Sequence, residues 1–260
     1  MTWRKFSPAI LTLLVFLLAQ GIGALMMIPF GMQSEQIPTT AFSLIMMAVD
    51  IIAILGCYFF LHNIRLVTAN DVASIHWRPG LIAIAAGILG ALCTSILTED
   101  VPLPDIMQKM SLEMANNFWG LLTLVIIGPI SEELLFREAI EGEMLRREAN
   151  PWMAILVSAI AFSIVHLNLA QGLYAFPLAV IFGIIYYKTG NIILTSVLHI
   201  LNNGLAALQL YTLGEDIENI SYAEWFGGQT NAYLIAALCG ALCLILTAFF
   251  WRYHPSDGKQ

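Results

Sequence analysis

Apolar residues fill long stretches of this chain and polar residues fall in short clusters between them. Eight such stretches stand out, at about 8–30, 40–61, 80–98, 117–136, 152–169, 172–188, 192–211 and 231–251. Crossing a bilayer core of about 30 Å takes about 20 mainly apolar residues in a helix. Backbone groups in hydrocarbon must also pair internally, which favours helices. None of the stretches shows the strict alternation and short repeat of a transmembrane barrel. The pattern therefore predicts an all-α protein, a polytopic bundle of about eight membrane spans. The fifth and sixth stretches are short and joined by "NLAQG", so a shallow hairpin is expected there.

The composition agrees: 59% of the 260 residues are hydrophobic and 11% charged. Arg4 and Lys5 precede the first stretch in the manner of a signal peptide. No small-x-small cleavage site follows, so a retained first span is expected. Placing the N-terminus in the cytoplasm puts Arg4, Lys5, Arg65, Arg78, Arg137, Arg146, Arg147, Lys188, Arg252 and Lys259 inside, ten of the eleven basic residues. Lys109 alone falls outside. The positive-inside rule thus favours both termini in the cytoplasm. With 18 acidic residues against 11 basic and no basic cluster, nucleic-acid binding has no support. The four cysteines, Cys57, Cys93, Cys239 and Cys243, lie in apolar spans and read as small packing residues. No soluble domain or long linker interrupts the pattern. No inverted repeat is evident, which disfavours a transporter.

Polar residues inside such helices are costly and usually face a cavity or a partner. They gather in three places. In "SEELLFR", the adjacent Glu132 and Glu133 point in different directions, and Glu133 stands four residues before Arg137 in the favourable order for a pair. That leaves Glu132 without a local basic partner, while the charges from Glu138 to Glu148 read as an ordinary solvated helix end. In "FSIVH", Phe162 and His166 share a face. In "HILNN", His199 and Asn203 lie on one stripe, with Asn202 beside them. At about 1.5 Å of rise per residue, Glu132 and His199 reach similar depths. His166 matches them poorly unless the fourth helix continues past Arg137. Asp50, in the second span, is an outlier.

These three pieces, in this order, resemble the CPBP family of intramembrane proteases, which includes type II CAAX prenyl endopeptidases and bacterial Abi or self-immunity proteins. The family pattern E-E-x-x-x-R, F-x-x-x-H and H-x-x-x-N is matched by Glu132-Glu133 with Arg137, Phe162 with His166, and His199 with Asn203. The likeness covers about residues 118–210, and Asn191 stands where the family often has serine. It divides the chain into motif-free spans (1–115), a catalytic core (116–212), and an outer loop with the last span and a cytoplasmic tail (213–260).

The resemblance implies an endopeptidase acting on a membrane-associated peptide or protein, with or without a lipid modification, in a bacterial inner membrane. Glu132 would be the general base, working with His166 to polarise a water. His199 and Asn203 would donate to the oxyanion. Glu133 and Arg137 would brace Glu132, and Phe162 would pack. Peptide hydrolysis needs these elements: an activated water, a proton for the leaving amine and a stabilised oxyanion. No cofactor is implied. Zinc is the alternative, since two His and a Glu can bind it with an open water position. Against zinc, there is no H-E-x-x-H and Asn is a poor ligand. A non-enzymatic immunity or scaffold protein, and a proton-coupled carrier, are the competing readings.

Overall fold

In the computed structural model, residues 2–31, 37–74, 76–104, 107–218 and 220–252 are described. Lys259 and the rest of the expected tail beyond 252 lie outside them. The described residues form eight long helices: α1 (Trp3–Phe30), α2 (Thr39–Leu61), α3 (Trp77–Glu99), α4 (Phe118–Arg146), α5 (Pro151–Val165), α6 (Leu169–Thr189), α7 (Ile192–Leu213) and α8 (Gln229–Arg252). Seven of them are long and apolar enough to cross a membrane. The exception is α5, whose 15 residues span only about 22 Å at the α-helical rise. The expected shallow hairpin is corrected in part: α5 is short, but α6 at 21 residues is among the membrane-length helices, and the turn between them is His166–Asn168, not "NLAQG".

The helix starts follow local chemistry. Asn117 caps α4 by accepting from the amides of Trp119 and Gly120, and Asn150 caps α5 with Pro151 at its first position. Asn191 caps α7 through the Leu194 amide, as a serine would. Its amide group also donates to the Asp71 carbonyl at 2.7 Å and the Ser74 hydroxyl at 2.9 Å, tying the α6–α7 turn to the α2–α3 connection.

α4 is the axis of the bundle, touching α1, α2, α5, α6 and α7. Beyond it, α3 and α8 pack together, with α6 against both. Small residues let these helices approach, as expected where packing rather than water drives association. Cys239 and Cys243 are buried, free and seated on the α8 face toward α3, consistent with a packing role. At Gly120, a Cβ would stand 2.5 Å from the Cα of Met114, in the short helix Gln108–Ala115. Backbone cannot yield as a side chain can. Gly120→Ala is therefore expected to cost about 1–3 kcal/mol in detergent unfolding. Gly240→Ala, which meets only the Cys93 sulfur, should cost less.

Two stretches of α4, Thr123–Ile127 and Glu133–Gly142, have the wider i→i+5 turns of a π-helix, a form that recurs at functional sites. The first has an identifiable consequence. Gly128 donates to the Thr123 carbonyl, five residues back. In that register the next donor, to Leu124, would be residue 129, which is proline and has no N–H. In the second stretch, side chains take up the carbonyls: Ser158 donates to Phe136 at 2.7 Å and Asn63 to Ala139 at 3.1 Å.

α4 also continues ten residues beyond its expected end at 136, and the expected solvated helix end is only partly so. Glu138 and Glu141 are buried. Glu138 receives Arg65 at 3.0 Å, Arg146 at 2.7 Å and the Tyr186 hydroxyl. These partners come from the α2–α3 connection, from α4 itself and from α6. Pairing replaces water, so the charges stay inside the bundle.

Candidate active site

The three polar clusters converge where α4, α5 and α7 meet. Glu132 and Glu133 leave α4 in different directions, and their surroundings differ accordingly. The Glu133 side chain is fully buried, whereas that of Glu132 is 30% exposed. His199 of α7 lies between them, with Nδ1 3.0 Å from Glu133 Oε1 and Nε2 3.4 Å from Glu132 Oε2. A carboxylate accepts, so the hydrogen-bond network assigns a proton to Nδ1 on the Glu133 side. Nε2 then faces Glu132, the one member of this group open to the outside.

Glu133 holds two partners at once. Its other oxygen is 3.3 Å from Arg137 Nε, an ion pair between two fully buried side chains. The contact lacks hydrogen-bond alignment, so its attraction is mainly charge on charge. The Arg137 guanidinium also lies over the rings of Phe162 and Phe182, at 4.9 and 5.7 Å from their centroids. Such stacking offsets part of the cost of burying a cation. The same two rings flank His199, each with its centroid 5.7 Å away. Phe162 and Phe182 thus form a cage around the base of the site, with Phe162 packing as expected.

His166 ends α5. Its Nδ1 is 2.7 Å from the Phe162 carbonyl, which can only accept, so Nε2 is left as an acceptor. The next residue, Leu167, has a left-handed backbone (φ 51°), an uncommon conformation for a branched side chain. Among the described residues no ion pair joins His166 to Glu132. The two histidines share a neighbour instead, because both rings pack on Phe162. The direct contact of Glu132 is therefore with His199, and its joint action with His166 on a water remains what the resemblance implies.

Asn203, one turn beyond His199, is partly committed. Its Nδ2 donates at 3.0 Å to the Leu124 carbonyl, the group that Pro129 leaves without its backbone donor. Sequence reasoning had no means of seeing this bond. It also passed over Phe182 and Tyr174, neither of which belongs to a recognisable motif, and read Glu141 only as part of a solvated helix end. Glu141 is fully buried, and neither of its oxygens has a hydrogen-bond partner among the described residues. Asp50, on α2, is buried and close enough to interact electrostatically with Glu132.

The residues do not fit zinc as they are arranged. Among the described residues no three His, Cys, Asp or Glu side chains are placed to hold a metal ion. The Nδ1 of His199 is taken by Glu133, and its Nε2 points at Glu132.

Fold and site together define a multi-pass helical membrane protein with a glutamate–histidine centre within its bundle. Residues 114–205 match the family model described as type II CAAX prenyl endopeptidase Rce1-like. Over that segment the chain is similar to this CAAX-type family of intramembrane proteases. It is also 28% identical over 140 residues to UPF0177 protein YxdF of Lactococcus lactis subsp. lactis (strain IL1403), a match covering 50% of this chain and 73% of that protein. No solved structure matches significantly.

Proposed function

We propose that the chain is a glutamate-dependent intramembrane endopeptidase that hydrolyses a peptide bond of a membrane-associated peptide or protein without a metal. The observation that carries this reading is the His199 imidazole, held by Glu133 on one nitrogen and directed at the accessible Glu132 on the other. This arrangement sets the ring's orientation before any substrate arrives, as preorganised catalysis requires.

In the proposed reaction Glu132 takes a proton from water, and the resulting hydroxide adds to the scissile carbonyl. His166 offers Nε2 as a second acceptor to that water. The oxyanion receives hydrogen bonds from the Asn203 N–H not spent on Leu124 and from His199 Nε2–H, a donor that requires His199 to carry a proton on both ring nitrogens. Glu132 then passes its proton to the leaving nitrogen, the C–N bond breaks, and the carboxylate is regenerated. Glu133 and Arg137 act through His199 rather than on the substrate.

The substrate reaches the site from the membrane, and a lipidated C-terminal segment is one option that the family description supports. The charge distribution favours both termini in the cytoplasm of a bacterial inner membrane. Comparative peptidomics of cells carrying wild-type protein or Glu132→Gln tests the proposal. Peptides that depend on Glu132 are expected, and they would identify the substrate. A peptidome indifferent to Glu132 and to His199→Ala would return the chain to a non-enzymatic scaffold or immunity role.

A further inference from the structure

A chain of side-chain hydrogen bonds runs across the bundle toward the proposed site. It starts at Tyr174 on α6, whose hydroxyl is 2.8 Å from Asn202 Oδ1 on α7 and also bonds Ser95 of α3. Asn202 Nδ2 is 3.1 Å from Asn203 Oδ1, and Asn203 Nδ2 is 3.0 Å from the Leu124 carbonyl of α4. Four helices are linked by these groups.

The direction of the chain is set at its far end. A backbone carbonyl only accepts, so Asn203 must present its NH₂ to Leu124. Its Oδ1 then faces Asn202, which must donate. Asn202 therefore turns its own oxygen to Tyr174, and the phenol must donate in turn. No flipped amide satisfies all three contacts. Pro129 creates the need at one end by leaving the Leu124 carbonyl without its backbone donor, and Tyr174 closes the chain at the other.

We infer that Tyr174 and Asn202 are positioning residues that lock the Asn203 amide with its NH₂ group toward α4, the helix that carries Glu132. Without the Asn202 bond to its oxygen, Asn203 can rotate about its last torsion. One of its hydrogens would then be lost to other acceptors, and the second would leave the site. This inference rests on the proposed peptidase reading, in which the second hydrogen meets the oxyanion.

The test uses the full-length protein in detergent or liposomes. Tyr174→Phe removes one oxygen, and Asn202→Asp keeps the acceptor for Tyr174 while removing the donor to Asn203. Both are expected to lower kcat on a Glu132-dependent substrate, by about tenfold for Tyr174→Phe, with KM little changed. In an Asn203→Asp background neither should lower kcat further. Additive losses, or losses confined to KM or to thermal stability, would overturn the inference.

A second measurement does not need activity. In protein labelled with ¹⁵N-asparagine, the Asn203 side-chain amide is identified by its loss in Asn203→Asp. Tyr174→Phe should shift it. If wild type shows no Glu132-dependent cleavage, the peptidase reading fails while this shift still decides the amide-orienting chain. An unmoved Asn203 signal would overturn the chain whatever the activity.

Discussion

Glu132→Gln is expected to lower kcat by about 10²–10⁴-fold, the range supplied by a positioned general base. The glutamine keeps the size and hydrogen-bonding capacity of the side chain, so its amide can still sit against His199 Nε2. What it loses is the ability to take a proton from water. KM and thermal stability should change little, because Glu132 is 30% exposed and is not part of the buried ion pair. Single-turnover cleavage of a peptide found by the peptidomic comparison would measure the loss. Undiminished cleavage by Glu132→Gln would dismiss this carboxylate as the base. Glu133→Gln should behave differently. It weakens the hold on His199 Nδ1 and leaves Arg137 short of its partner, so activity and stability should fall together.

The largest effect on stability is expected from Arg137→Met, at about 3–5 kcal/mol, the usual cost of removing one partner from a buried ion pair. Arg137 is fully buried, between two phenylalanine rings, against a fully buried Glu133 and within electrostatic range of Glu141. Without it, the carboxylates of Glu133 and Glu141 remain inside the bundle without the arginine that faces them both. Arg137→Lys should also be damaging, since an ammonium lacks the flat face that stacks on the rings. Adding Glu133→Gln to Arg137→Met should restore part of the loss. The free cysteines provide the readout, because Cys57, Cys239 and Cys243 are buried. A thiol-reactive dye would label them only as the protein unfolds in detergent. An Arg137→Met protein that unfolds at the wild-type temperature would show that the pair contributes little.

How far the sequence could be read differed from element to element. Both ends of α7 were legible: Asn191 supplies the capping oxygen at its start, and the apolar run carries through to its end. The far end of α4 was not. "EAIEGEMLRR" has the composition of a solvated helix end, and nothing local distinguishes it from one. It lies inside because Arg65, 73 residues earlier, and Tyr186, 48 residues later, both reach Glu138. The hairpin turn was misplaced for a related reason. Leu167 takes a left-handed conformation that no turn residue announces.

The motif residues themselves were recognisable from spacing and from their cost in a membrane. Which of them would meet was another matter. Helical periodicity tells which face a residue occupies, not what stands opposite. Glu132 stands directly beside His199, and Asn203 acquired a backbone partner created by a proline on a different helix. The cage of Phe162 and Phe182 was invisible because one of its two rings lies outside any motif.

The sequence alone determined that this is a helical membrane protein, that its costly polar residues fall into three clusters, and that adjacent glutamates must face different surroundings. Local physics suffices for each of these: chain length against bilayer thickness, the cost of charge in hydrocarbon and the turn of a helix. Only the tertiary structure decided that Glu133 is buried between His199 and Arg137 while Glu132 stays open beside His199. That choice depends on helix depth, on the wider turns of α4 and on side chains from α5, α6 and α7, all long-range quantities that no window of sequence contains.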